Sequence, residues 1–266
     1  MTALSLKRHS RGLGLSPRRH RGASGAAPAY AATPVSFDGA THLTRGDALT
    51  GVSDSKVWSG SMWLRWSRAT GADTDFFRLI DAGTKFQLLS FGATGGDLAL
   101  FGFNAAGAEI LDWRAPDSSI TDDNWHHFLW SIDLATATAH GYLDDAAVTP
   151  VAGNLNLTND TIDFTVADVG VGANTAGSNK FAGDMADIWM RFGGAVIDFS
   201  VEANRRQFIT ADGTPANPAG YPSGGQIILN GPLASWHTND GTGGGMTVAS
   251  GALAAGSSPV KAGVGP

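Results

Sequence analysis

The chain has no cysteine. No disulfide can staple it and no thiolate can hold zinc, so a disulfide-framed secreted domain is disfavoured. Glutamate is nearly as scarce, with Glu109 and Glu202 the only two in 266 residues. Charged residues make up 16% of the chain, too few for long, charge-laced helices. No apolar run approaches the roughly 18 residues that a membrane-spanning helix needs. A phosphate-cradling loop, a dinucleotide fingerprint and a Gly-x-Ser-x-Gly nucleophile elbow are also missing. What the chain has instead is 36 glycines, the composition of short strands joined by turns. Its length is ample for a sizeable core.

The clearest pattern lies in residues 124–143, NWHHFLWSIDLATATAHGYL. Phe128, Trp130 and Ile132 fall on one face of an extended chain, and His127, Leu129, Ser131 and Asp133 on the other. Asp133-Leu134-Ala135-Thr136 is a plausible reversal, after which His140 and Tyr142 alternate with small and apolar neighbours. This predicts a hairpin at the centre of an all-β core. Residues 57–66 alternate too, placing Trp58, Met62, Leu64 and Trp66 together. Further strands are expected at 75–81, 85–91, 98–104, 109–113, 162–171 and 180–192, bounded by glycines. Spacing of roughly 8–12 residues with turn signals between strands predicts two sheets packed face to face. Residues 200–212 form the one helix candidate, with Ser200 as cap, Glu202 in the first turn, Val201, Phe208 and Ile209 on one face, and Gly213 as terminator.

The hairpin also resembles the signature hairpin of the concanavalin A-like lectin/glucanase superfamily, in its laminin-G or pentraxin-like branch. Val35-Ser36-Phe37-Asp38-Gly39 with His42-Leu43 resembles that family's opening strand, residues 60–66 its next long strand, and residues 181–190 its closing strand. One departure is Asp144-Asp145-Ala146, where the family usually has an Asp-Gly turn. The resemblance covers residues 33–200 and implies a two-sheet antiparallel jelly-roll sandwich with one short helix and extended terminal segments. Residues 1–32 would then be a basic extended arm, and residues 201–266 a helix plus a Gly/Pro-rich segment packed on the sandwich.

Charge is divided unevenly. Residues 1–24 carry Lys7, Arg8, Arg11, Arg18, Arg19 and Arg21 and no acid, while the remainder has 12 basic against 24 acidic residues. A basic arm on an acidic body marks an interaction tail. The arm has too little apolar surface to order itself, so these six residues are expected to anchor it to an acidic groove on another protein. Nucleic acid is the weaker alternative, since no aromatics interleave the charges. A secretory signal is disfavoured because no apolar stretch follows, whereas a transit peptide is compatible with the composition.

Candidate chemistry is sparse. Glycoside hydrolysis needs two carboxylates flanking the bond. The Glu-x-Asp-x-x-Glu motif of the family's glucanases is absent, so no catalytic residues are assigned. His126 and His127 are strand neighbours pointing to opposite faces and cannot enter one site. One of them is expected packed and the other at the surface. No cofactor is required by the sequence. Calcium, which relatives of this family often bind, could use the oxygen-rich turns at Asp73-Thr74-Asp75, Asp122-Asp123-Asn124 and Asp144-Asp145, or Asp38 and Asp184 on the opening and closing strands. Of the eight Trp, Trp113 and Trp236 are least explained by a core and are the candidates for stacking on a sugar ring.

Residues 204–208 and 227–259, with Ile227-Ile228-Leu229-Asn230-Gly231-Pro232 and Trp236-His237-Thr238-Asn239, resemble the tail that follows laminin-G-like domains in phage virion proteins. That resemblance implies a non-enzymatic structural protein on the surface of a phage or phage-like particle. Other capsid, neck or tail proteins would be its partners, in a multi-copy or homo-oligomeric assembly with a lectin-like sandwich facing a host glycan. The alternative is a free carbohydrate-binding lectin. A glycanase is the least favoured reading.

Overall fold

The computed structural model describes residues 30–66, 77–91, 97–116, 119–120, 122–165 and 168–259. Lys7, Arg8, Arg11, Arg18, Arg19, Arg21 and the Asp73-Thr74-Asp75 turn lie outside the described residues.

Among the described residues the strands follow in chain order: β1 (Val35–Asp38), β2 (His42–Thr44), β3 (Val57–Trp66), β4 (Phe77–Asp81), β5 (Phe86–Phe91), β6 (Asp97–Phe103), β7 (Glu109–Arg114), β8 (His126–Asp133), β9 (Thr138–Leu143), β10 (Ala146–Val148), β11 (Asn156–Leu157), β12 (Gly170–Val171), β13 (Ala182–Phe192), β14 (Ile227–Leu229), β15 (Thr247–Ser250) and β16 (Ala254–Ala255). The first sheet runs β10-β9-β8-β3-β13-β1-β16, with β14 also on β13, and the second runs β11-β7-β6-β5-β4-β12-β2-β15. The architecture is the two-sheet antiparallel jelly-roll sandwich.

Alternation places the core between the sheets as expected. Phe128, Trp130 and Ile132 from β8 join Trp58, Met62, Leu64 and Trp66 from β3 in one buried cluster with Leu88, Leu100, Leu111 and Trp113 of the second sheet. Trp58 lies at its centre, with ring centroids of Trp130, Phe86 and Phe164 at 5.6, 5.7 and 6.3 Å in edge-to-face contact. Two glycines make room for this. A Cβ on Gly60 would overlap the Trp130 ring, and one on Gly141 the Trp113 ring.

The Asp144-Asp145 departure keeps the tight turn all the same. Both residues adopt positive φ, 52° and 68°, between the paired Leu143 and Ala146. Two aspartates therefore supply the left-handed pair usually given to Asn-Gly or Asp-Gly. Partners hold them there: Asp144 Oδ1 accepts from the His127 N–H at 2.9 Å, and Asp145 accepts from Arg205 Nε at 2.6 Å and Arg206 Nη2 at 2.7 Å.

Three expectations are corrected. The sandwich does not end near residue 200, because β14 pairs with β13, β15 with β2 and β16 with β1. The helix shrinks to α1 (Glu202–Arg205), capped by the backbone of Val201, while the Ser200 hydroxyl turns to Asp198 at 2.6 Å. Val201 is exposed rather than on the buried face, and Phe208 and Ile209 are buried by irregular chain instead. Here tertiary packing overrides local propensity. Among the described residues of 162–171, pairing is confined to the Ile162 bridge to Ser55 and to β12, since the amides of Phe164 and Thr165 bond to the Asp54 carboxylate instead of a strand.

The outer face of the first sheet is also buried. Residues 195–225 fold across it, and Leu129, Tyr142, Trp189, Ile197, Phe199 and Phe208 form a second apolar cluster. Trp189 and Phe208 lie 5.1 Å apart and Phe208 and Tyr221 4.9 Å. Beside it, Tyr30 and Ala32 cover Trp63, Trp125, Ala186 and Ile209.

Candidate functional site

The second sheet's outer face is built differently. Its small apolar cluster, Leu89, Ala99 and Phe101 with Phe103 against them, comes from β5 and β6 alone. Register explains the grouping: Leu89 pairs with Ala99 and Gln87 with Phe101, and across the next ladder Ala99 meets Arg114 and Phe101 meets Asp112. Every one of these side chains points away from the core, because Phe86, Leu88, Leu98, Leu100 and Trp113 take the other face.

Polar residues ring this floor. Arg78, Gln87, Glu109 and Arg114 join Leu89, Phe101 and Phe103 around a groove of about 300 Å³. The Arg114 guanidinium lies 5.1 Å over the Phe101 ring and donates to Asp112 from Nε at 2.8 Å and from Nη2 at 2.7 Å. This hydrogen bond raises the Arg114 pKa, so the cation is permanent. Arg78 Nη1 stands 3.4 Å from Asp81 Oδ1, too poorly aligned for a hydrogen bond, and Nε is likewise without an acceptor. Burial first, then the Asp112 charge, hold the Glu109 carboxyl above its ordinary value, against the pull of Arg114. The groove is thus lined by two guanidinium side chains, one amide and one carboxyl around an apolar floor. Directional hydrogen bonding to a hydroxyl-rich ligand would need polar groups of these kinds.

The residues singled out from sequence lie elsewhere. Trp113 is wholly buried, packed over Gly141 at 5.7 Å from Phe128. Trp236 is 1% exposed, edge-on to Phe37 at 6.2 Å. Neither indole offers a face to a sugar, which corrects that expectation. Asp184 forms an ion pair with Arg65 at 2.6 Å, and Asp38 accepts from the amides of Ala40 and Thr41 at 2.9 and 2.7 Å within its own turn. Among the described residues no three His, Asp or Glu side chains gather closely enough to hold a metal ion.

Both histidines are buried, where one had been expected at the surface. His126 lies between Asp144 (2.7 Å) and Asp122 (3.0 Å). Burial opposes its charge, but these two carboxylates outweigh it and raise its pKa. His127 stacks on Trp63 and meets Ser61 Oγ at 2.9 Å, with burial driving its pKa down to about 3. Its Nδ1 has no partner, so this Ser–His pair lacks the orienting acid of a triad and is sealed from solvent. The two glutamates serve different sheets, Glu109 at the groove and Glu202 paired with Arg206 at 2.7 Å on α1.

Sequence reasoning missed the groove. The signal was there in period two: Gln87, Phe101 and Arg114 are polar or aromatic residues on the non-core parity of their strands. It was masked by Leu89, Ala99 and Phe103, which make those strands read as apolar on both faces.

No protein-family model and no curated protein matches the sequence. Solved structures do match in shape. A native heptameric SAP-like pentraxin from Limulus polyphemus superposes with TM-score 0.52 at 11% identity, over 85% of this chain and 94% of its own. A protein from Bacteroides ovatus described as a candidate carbohydrate-binding protein superposes with TM-score 0.56 at 11% identity, over 87% of this chain and 62% of its own. The chain therefore shares the jelly-roll sandwich fold of these two solved structures, the architecture that the hairpin and its companion strands implied.

Proposed function

We propose that the protein is a non-enzymatic carbohydrate-binding module that takes a short saccharide in the groove of the second sheet. The observation that carries this reading is the ring of Arg78, Gln87, Glu109 and Arg114 around the Leu89–Phe101 floor. Its volume, about 300 Å³, is at the small end of ligand clefts, which run roughly 300–1,000 Å³. The guanidinium of Arg114 already occupies the Phe101 face, so recognition rests on hydrogen bonds more than on ring stacking. Glu109 is the sole carboxyl lining the groove among the described residues, whereas acid–base cleavage of a glycosidic bond needs two.

A glycan array on the full chain tests this, with Glu109→Gln as control. We expect binding of at least one oligosaccharide class, weakened about tenfold by the substitution, the loss of roughly one hydrogen bond to a charged group. An array with no bound saccharide removes the reading.

A second reading adds attachment to a phage or phage-like particle, with the sandwich as its outward face. What favours it is the run Lys7, Arg8, Arg11, Arg18, Arg19 and Arg21 ahead of an acidic body, together with the virion-like tail sequence. Deleting residues 1–24 should abolish incorporation into particles and leave the sandwich folded. Normal incorporation would rule the anchor out.

A further inference from the structure

The most anomalous buried group is Asp187. It interrupts the longest strand, β13, at a bulge between Ala186 and Trp189 in the β3 ladder, and its φ is +46°. It has no exposed surface and sits between the two apolar clusters that cover the outer face of the first sheet. Oδ1 accepts a 2.8 Å hydrogen bond from the Tyr30 hydroxyl, and Oδ2 has no partner.

Tyr30 stands just ahead of β1, at the start of the described residues, and Tyr221 comes from the covering segment with its hydroxyl also unpartnered. These two phenols are the ionisable groups acting on the site from either side, and burial raises both, so they remain protonated at neutral pH. The facing residues of β3, Ser61 and Trp63, carry no charge, and His127 beyond them is held neutral.

We propose that Asp187 and Tyr30 form a proton-operated latch, which fastens the segment preceding β1 to the first sheet when Asp187 is protonated and loosens it when Asp187 ionises. A neutral carboxyl is tolerated in this apolar setting. A carboxylate with one donor and one bare oxygen is not, and it is relieved by admitting water under Tyr30. Burial sets the direction, with the Tyr30 bond opposing, and places the midpoint at about 7. The latch does not depend on a saccharide.

The test is deuterium uptake by the peptide spanning residues 30–35 of the full chain at pH 5.5 and 8.5, corrected for intrinsic exchange. We expect protection to fall at least tenfold at the higher pH in the native chain and to be pH-independent in Asp187→Asn. Equal protection at both pH values, or the same loss in the variant, overturns the latch. Should the variant not fold, carboxyl-carbon NMR titration of Asp187 in the native chain decides. A midpoint near 7 supports the latch, and one below 5 overturns it.

Discussion

The two outer faces of the sandwich make an instructive pair. Each belongs to an eight-stranded antiparallel sheet over the same core. On the first sheet, residues 195–225, with Phe199 and Phe208, and the Tyr30 segment cover Trp189 and Trp63, and its polar groups are trapped. Asp187 Oδ2, His127 Nδ1 and the Tyr221 hydroxyl all lack partners. On the second, the apolar patch comes from the sheet alone and is ringed by charged side chains around a groove. The lesson is that chemistry follows the covering, not the strands. A covered face buries its polar residues, whereas a grooved face keeps them at the surface.

This contrast can be broken from the covered side first. Phe208→Ala removes a ring packed against Trp189, Phe199 and Tyr221 and should cost about 3–5 kcal/mol in urea unfolding. A loss below about 1 kcal/mol would mean that the cover adds little to the fold.

The pH dependence of stability gives the next effect. Burial raises the Asp187 carboxyl from its ordinary value of 3.8 to about 7 in the folded chain, so the native state holds the extra proton between those values. Stability should therefore fall as pH rises from about 4 to about 7 and level off above, by at most ~4 kcal/mol. Asp145 and Asp163 have the opposite sign. Burial works against their charge, but Arg206 and Arg205, and Lys85 and Thr165, outweigh it and lower both values. Their contribution is present above pH ~4 and lost as pH falls through their folded values, so the two windows separate. Asp187→Asn should flatten only the upper one in chemical denaturation at stepped pH.

On the grooved face the effect on stability shrinks while that on binding grows. Glu109→Gln, at an exposed residue, should change unfolding free energy by less than about 0.5 kcal/mol yet weaken saccharide binding about tenfold by calorimetry. A large destabilisation would show that the groove serves the fold. The smallest effect concerns metal. Asp184 is already neutralised by Arg65, so a chelator should leave the melting temperature unchanged, and a drop of several degrees would restore calcium as a ligand.

Much of this was legible in the residues. Period-two alternation found Phe128, Trp130, Ile132, Trp58, Met62, Leu64 and Trp66 as one core face, and the reversal after Asp133 is where β8 and β9 meet. The site was much less so. Trp113 and Trp236 looked unplaced because nothing local shows that Gly141 leaves space for one and Phe37 packs against the other. The helix over 200–212 failed for the same reason: Arg205 is drawn to Asp145, sixty residues away, and Phe208 to Trp189, which bends the chain before a second turn can form.

Sequence by itself determined the sandwich, because alternation and turn chemistry are local and each strand states which of its faces is apolar. It also determined the asymmetry between a basic start and an acidic body. Only the tertiary structure decided which outer face would be covered, which carboxyl would be stranded in a dry layer, and which polar side chains would converge on a groove. Those outcomes depend on contacts between residues far apart in the chain, and no periodicity encodes such distances.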